Sequence, residues 1–274
     1  MRLSEFAEAL RSAGVSEYEN EAYIFIEELF NVSRAKILFD NDREYDEKIL
    51  SDVIKKRKER IPLQHILGKW YFMGEEYSVS SDCLIPRADT EILVEKAIEL
   101  SNGATRVADL CTGSGCIAIS FLKNCPNASC TLVDISKKAL DIAEHNAKRH
   151  GVYERCELLL KDVTKDILSE EYDIIMSNPP YIPSRDIEKL SDEVKKEPYI
   201  ALDGGEDGFD IIIPLINNSL PHLKKGGYML VEFGYDQGDK MRELLENKLS
   251  SSEISSFEIL RDYSQNDRAC VICK

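Results

Sequence analysis

The chain has 274 residues, 43% of them hydrophobic and 31% charged, a balance that allows a sizeable core and lacks the low-hydrophobicity signature of disorder. Its net charge of −15 and isoelectric point near 4.8 argue against a partner held by phosphate contacts, because nucleic-acid binders concentrate Lys and Arg. No apolar run approaches a membrane span, and the acidic, amphipathic start MRLSEFAEAL is unlike a signal peptide, so a cytoplasmic protein without a membrane partner is expected.

From Ser4 to Arg60, apolar residues recur at helical spacing: Phe6, Ala9 and Leu10, then Tyr23, Ile26, Leu29 and Phe30, then Ile49, Val53 and Ile54. This predicts a small helical bundle, taken as an N-terminal domain over 1–68. The basic run Lys55, Lys56, Arg57, Lys58 and Arg60 reads as a solvated helix face. Trp70, Tyr71 and Phe72, a turn at Met73 and Gly74, then Tyr77, Ser78 and Val79 predict a β-hairpin linker within 69–85.

Residues 86–274 read as a separate domain. Strands are predicted at 106–110, 129–134, 157–161, 172–177 and 228–233, alternating with helices at 91–100, 116–123, 137–149 and 239–249. Ser136 caps the third of these helices and Gly151 closes it. Continuous apolar strands between amphipathic helices imply an α/β fold with a mostly parallel sheet covered on both faces. Two last strands, 256–260 and 269–273, have no helix between them and predict an antiparallel edge hairpin. The eight cysteines lack framework spacing and are expected to be reduced. Cys270 and Cys273 are spaced C-x-x-C in a terminal apolar strand, where packing is the expected role and no metal site is anticipated.

In such sheets ligands bind beyond the carboxyl ends of the strands, where the strand order reverses. The loop after the first strand reads ADLCTGSGCIAIS, and Gly113 and Gly115 let the backbone turn and approach a ligand closely. The dinucleotide fingerprint is broken, with Ala118 at the last glycine position and Cys111 at the first. Three acids follow the strand ends. Asp134 is placed to accept hydrogen bonds from ribose hydroxyls, Asp162 to reach an adenine amine, and Asp109 to order the loop amides or meet a cationic ligand. Singly each reads as a cap or a turn; together they favour an adenosine-bearing ligand. No Lys or Arg lies in the loop to meet a pyrophosphate, so the sulfonium of S-adenosylmethionine fits better.

The fourth strand ends abruptly in MSNPPYIPS. Proline fixes its own φ and pushes its predecessor toward extended geometry, so Asn178 and Pro179 are held non-helical. The rigid loop, Asn178, Pro179, Pro180 and Tyr181, presents the Asn178 side-chain oxygen and the Pro179 carbonyl as acceptors, with Tyr181 free to stack on a planar group. An amide or adenine amine attacks a methyl group poorly because its lone pair is delocalised. Two acceptors gripping its hydrogens raise the electron density on nitrogen and aim it. The four histidines form no constellation.

The glycine loop with its acids resembles the class I S-adenosylmethionine-dependent methyltransferases, and NPPY resembles the motif of those that methylate a nitrogen conjugated to a planar group. IPLQHILGKWYFMG, LIPRADTE, EPYIALDGGEDGFD and DYSQNDR, in that order over nearly the whole chain, resemble the HemK/PrmC family. That resemblance implies methylation of the Gly-Gly-Gln glutamine of peptide chain release factors, with S-adenosyl-L-homocysteine as product. It also implies a helical domain that contacts the release factor, followed by the hairpin linker and the catalytic domain. Carried over, the cofactor loop is Cys111, Thr112, Gly113, Ser114 and Gly115, the ribose acid Asp134, the adenine-side residues Asp162 and Val163, and the substrate loop Asn178, Pro179, Pro180 and Tyr181. For Arg87, in the IPR segment, an ion pair and a direct role both stand. Cys111 replaces the loop's usual first glycine, which is tolerable at a negative φ, and Val163 stands where an aromatic is common, which loosens the adenine pocket. A monomer with no direct nucleic-acid contact is expected. The competing readings are an adenine-specific DNA methyltransferase, disfavoured by the charge, and a methyltransferase of a ribosomal protein glutamine.

Overall fold

The computed structural model describes residues 1–103, 106–165 and 168–274. The chain divides into two compact units, one comprising 1–70 with 191–196 and the other 71–190 with 197–274.

The first unit contains α1 (Leu3–Ser12), α2 (Tyr18–Phe30), α3 (Arg34–Phe39), α4 (Glu47–Lys58) and α5 (Leu63–Leu67). Phe6, Leu10, Phe25, Ile26, Ile37, Leu50 and Val53 form its core, as the helical spacing predicts. Asp46 caps α4 by accepting from the amides of Lys48 and Ile49. One expectation is corrected here: Arg57 is 1% exposed and is not on a solvated face. It follows Leu50 and Val53 on the buried stripe of α4, and its guanidinium meets Glu21 through two hydrogen bonds of 2.7 and 2.8 Å. It also donates to the Ile61 carbonyl and to Glu193, both at 2.7 Å, so this buried charge is paired on every side.

The hairpin pairs β1 (Lys69–Phe72) with β2 (Glu75–Ser78). Met73 and Gly74 both have positive φ, 51° and 74°, the signature of the tight turn that matches strand twist. In the second unit Asn146, fully buried, accepts from the Ser78 amide and donates to the carbonyls of Ser78 and Ser114. It thereby fastens β2 to the glycine loop.

In chain order the rest of the second unit is α6 (Glu91–Glu99), β3 (Arg106–Leu110), α7 (Cys116–Asn124), β4 (Ser129–Asp134), α8 (Lys137–Arg149), β5 (Cys156–Leu160), β6 (Tyr172–Ser177), α9 (Ser184–Ile187), α10 (Ile212–Ser219), β7 (Leu223–Glu232), α11 (Gly238–Ser250), β8 (Ser256–Arg261) and β9 (Asp267–Cys273). The sheet has seven strands in the order β5-β4-β3-β6-β7-β9-β8. Its first five are parallel, and β9 runs antiparallel to both β7 and β8. Successive strand residues face opposite sides. Val107, Leu132, Ile174 and Met176 pack with α6, α7 and α8, whereas Ala108, Val133, Ile175 and Met229 pack with α10 and α11. Cys270 and Cys273, three apart on β9, point to opposite faces, so the pair cannot grip one ion between them.

The sequence pattern does not predict α10, because Pro214 interrupts its apolar run. Proline is tolerated there because the first turn of a helix needs no amide donors.

Candidate active site

Strand order reverses between β3 and β6, whose outer neighbours are β4 and β7. A cavity of about 280 Å³ opens at the carboxyl ends of these strands, near the lower bound of ordinary ligand pockets, roughly 300 Å³. Its wall takes Cys111, Thr112, Gly113 and Ser114 from the loop after β3, Asp134 and Ile135 from the end of β4, Asp162 and Val163 from the loop after β5, and Asn178 and Pro180 from the loop after β6. Arg87 and Thr90 come from the segment before α6.

The loop after β3 is a left-handed turn. Gly113 has φ 55° and Gly115 φ 80°. Cys111 has φ 61°, which corrects the expectation of a negative value. A side chain there holds a conformation costing roughly 1–2 kcal/mol, and it persists because the turn is fixed on both sides. The Thr112 amide bonds the Val133 carbonyl at 3.0 Å, and the Gly115 amide bonds that of Thr112 at 2.8 Å.

Asp134 accepts the Gly113 amide at 2.9 Å on Oδ2 and the Ser136 amide at 2.8 Å on Oδ1. Each oxygen keeps a lone pair for a ligand hydroxyl. Burial pushes its pKa up against the pull of these amides. Asp162 is partly engaged, with Oδ1 on the Thr164 amide and hydroxyl and Oδ2 3.0 Å from Lys165, and the Thr164 hydrogen bond leads in lowering its pKa. Between these acids, Ile117, Ile135, Ala139 and Val163 supply apolar wall. A Cβ on Gly113 would meet no heavy atom within 4 Å, so the loop offers open space on the cavity side.

The NPPY loop is anchored from behind. Asn178 donates from Nδ2 to the Thr90 hydroxyl at 3.1 Å, which leaves Oδ1 as its polar group for the cavity. The Tyr181 carbonyl accepts Gln237 Nε2 at 2.7 Å, and the Ile182 amide bonds the Leu202 carbonyl at 3.0 Å. Gly208 presses so closely that a Cβ would sit 2.3 Å from the Tyr181 oxygen. The 202–208 segment therefore clamps the loop's backbone.

Comparison with known proteins fits this arrangement. Residues 3–68 match the PrmC N-terminal domain and residues 87–197 the methyltransferase small domain. The release factor glutamine methyltransferase of Aquifex aeolicus is 35% identical, the alignment covering 93% of this chain and 91% of that one. This chain belongs to the release factor glutamine methyltransferase family. The protein so named in Geobacter sulfurreducens is 40% identical over 68% of this chain and 66% of its own length. The crystal structure of a ribosomal protein L11 methylase from Lactobacillus delbrueckii subsp. bulgaricus has the same fold, with TM-score 0.51, 22% identity, and coverage of 72% of this chain and 83% of that one.

In this methyltransferase, four of the expected site residues stand back from the cavity wall. Asp109 is fully buried, accepting the Thr112 hydroxyl at 2.6 Å and the Ala118 amide at 3.2 Å, with burial raising its pKa to about 7. Gly115 lies in the turn into α7, and Pro179 is buried. The Tyr181 hydroxyl donates to Glu232 at 3.2 Å. Arg87 both lines the cavity and pairs with Glu197, whose other oxygen accepts the Ile85 amide at 2.9 Å.

Sequence reasoning missed Thr90, Glu197, Glu232 and Gln237, which fasten the site from separate parts of the chain. Thr90 and Glu197 lie in the segments LIPRADTE and EPYIALDGGEDGFD that the sequence singles out, and Gly208 packs against Gln237, but no local pattern assigned these four a role at the site.

Proposed function

We propose that this protein transfers a methyl group from S-adenosyl-L-methionine to the side-chain amide nitrogen of the glutamine in the Gly-Gly-Gln motif of class 1 peptide chain release factors, leaving S-adenosyl-L-homocysteine. The observation that carries the reading is the Asn178 amide, tied through Nδ2 to Thr90 so that its oxygen serves the cavity as an acceptor. When bound, the cofactor supplies a methyl group on a cationic sulfur. Asp134 would accept the ribose hydroxyls with its spare lone pairs, Asp162 and Val163 would border the adenine, and Cys111, Thr112, Gly113 and Ser114 would line the remainder. Asn178 Oδ1, on the cavity wall, would take one hydrogen of the substrate amide and the main-chain carbonyl of the otherwise buried Pro179 the other, orienting its nitrogen and concentrating charge on it. Asp109, Gly115 and Tyr181 would hold the two loops in shape from behind, while Pro180 would border the cavity.

The helical unit is read as the release-factor contact. Its support is the match over 3–68 and the exposed apolar pair Leu38 and Phe39, the latter 93% exposed. The protein is read as a cytoplasmic monomer.

The test is transfer of radiolabelled methyl from S-adenosylmethionine to four acceptors: an unmethylated release factor, the same factor with its Gly-Gly-Gln glutamine replaced, ribosomal protein, and double-stranded DNA. Label confined to the intact release factor is expected. Label in DNA or ribosomal protein would replace this substrate with one of the alternatives.

A further inference from the structure

Among the described residues, two large apolar side chains both line the cavity and stand exposed: Ile135 at 50% and Ile200 at 53%. Ile135 follows Asp134, on the side read as holding the ribose and adenine. Ile200 lies elsewhere, in a 3₁₀ turn over Tyr199–Ala201 within EPYIALDGGEDGFD, a segment that the cofactor and substrate loops leave unexplained. One exposed isoleucine is ordinary on a protein surface. What gives this one meaning is how firmly it is held and what it adjoins.

The turn is fixed at both ends. Before it, the Glu197 side chain is 1% exposed, accepts the Ile85 amide at 2.9 Å and pairs with Arg87. The ring of Pro198 locks its φ, and its carbonyl accepts the Ala201 amide at 2.9 Å. The Tyr199 carbonyl accepts the amides of Leu202 and Asp203, both at 3.0 Å. After the turn, the Leu202 carbonyl accepts the Ile182 amide at 3.0 Å, and the Gly204 amide donates to the Ile182 carbonyl at 2.9 Å. The turn therefore bridges the segment that carries Arg87 and Thr90 and the loop that carries Asn178. Those two are themselves joined by the 3.1 Å bond between Asn178 and Thr90. Ile200 thus belongs to the acceptor side of the cavity. Its β-branched side chain is stiff at χ1 and makes a fixed piece of rim.

A glutamine amide stands only two methylenes from its main chain. With its nitrogen held by Asn178, in a cavity of about 280 Å³ shared with the cofactor, the main chain beside the acceptor must lie against this rim. Glycine has no Cβ and lets a backbone approach a surface closely, whereas any other residue would drive a side chain into the turn. We infer that Ile200 is a specificity-determining residue: it forms the acceptor-side rim of the cavity and selects a glutamine that directly follows glycine. This rests on the methyl-transfer reading above and deepens it, by giving a physical reason for the glycine that precedes the acceptor.

The experiment compares wild type with Ile200→Ala, Ile200→Val and Tyr199→Ala on unmethylated release factors carrying Gly-Gly-Gln or Gly-Ala-Gln. It measures kcat/KM for each acceptor, the affinity for each acceptor with S-adenosyl-L-homocysteine bound, and S-adenosylmethionine affinity by calorimetry. Wild type is expected to prefer Gly-Gly-Gln by roughly 100-fold in kcat/KM, the scale on which a fitted apolar contact discriminates one methyl group. In Ile200→Ala that preference should shrink to about tenfold or less, because the rim then has room for the extra methyl. The same narrowing should appear in the affinities. Ile200→Val keeps the β-branch and should keep most of the preference. Tyr199 is 59% exposed and lies off the cavity wall, so Tyr199→Ala reports disturbance of the turn alone and should discriminate as wild type does. Cofactor affinity should stay within about twofold throughout, since Asp134 and the glycine loop are untouched.

A preference that Ile200→Ala retains in full, or that Tyr199→Ala loses equally, overturns the role of Ile200 while the labelled Gly-Gly-Gln factor keeps the methyl-transfer reading standing. Equal labelling of both factors by wild type does the same. Cofactor affinity weakened by roughly tenfold in Ile200→Ala, the scale of losing part of an isoleucine's burial, would assign the side chain to the cofactor and overturn it as well. A wild type that labels neither factor removes the methyl-transfer reading and this inference with it.

Discussion

Asn178 and Asp134 both face the cavity, yet they should fail in different ways when truncated. Asn178→Ala removes an acceptor that matters when charge develops on the substrate nitrogen, so kcat is expected to fall by about 10²–10³ with cofactor affinity nearly unchanged. Asp134→Ala removes a charged acceptor for the ribose and frees the Gly113 and Ser136 amides it holds. Cofactor affinity should weaken by roughly 10- to 100-fold, as for hydrogen bonds to charged groups. Calorimetry beside single-turnover transfer separates the two, and equal cofactor affinity in wild type and Asp134→Ala would disprove the ribose placement. Cys111, at φ 61°, offers a third test. Cys111→Gly is expected to raise the urea midpoint by relieving about 1 kcal/mol of strain, whereas Cys111→Val, β-branched in the same conformation, should lower it. At this scale the two loops were legible because glycines and prolines in sequence dictate backbone angles directly. The sign of φ at Cys111 was not, since it depends on how Thr112 and Gly115 are bonded.

The elements that hold the site divide along the same line. Four strands and the capped α8 follow from apolar runs and local caps, which are properties of neighbouring residues. The clamp over 202–208 does not, because its glycines are needed for contact with Tyr181, more than twenty residues earlier in the chain. Gly208→Ala would place a methyl 2.3 Å from the Tyr181 oxygen and 2.2 Å from Gln237 Nε2. The NPPY loop must then shift, and a loss of at least about tenfold in kcat is expected along with a lowered unfolding midpoint. Gly74→Ala is the control, since it shares positive φ, 74°, but has nothing within 4 Å of the new methyl. It should cost only about 1 kcal/mol of stability and leave kcat near wild type. Equal kinetic effects would mean that the close approach to Tyr181 is not what matters.

For the molecule as a whole, the −15 charge restricts the choice of partner, and buried acids shape its stability against pH. Asp109 and Glu232 have folded pKa values raised by burial from 3.8 and 4.5 to about 7. A raised acid holds its proton longer in the folded state. The stability linked to it is complete below the unfolded value and is lost as pH climbs through the folded one. Glu232→Gln cannot ionise, so its stability relative to wild type should improve steadily between about pH 4.5 and 7. Urea unfolding of both proteins across that window measures the difference directly, and a flat difference would mean that Glu232 titrates normally.

The sequence by itself determined the class of fold, and it located the glycine loop, the strand-end acids and the NPPY loop. Each of these is written in short-range pattern: the period of apolar residues, the angles that glycine and proline allow, and the step from strand to turn. Only the tertiary structure decided that Arg57 is buried, that Asp109 and Tyr181 stand behind the cavity, and that Thr90, Glu197, Glu232 and Gln237 hold the site in place. Those outcomes rest on pairings between residues distant along the chain, such as Asn178 with Thr90 and Tyr181 with Glu232. The physical reason is that a buried polar group takes its role from whichever partner the fold brings within about 3 Å, and no local pattern encodes that distance.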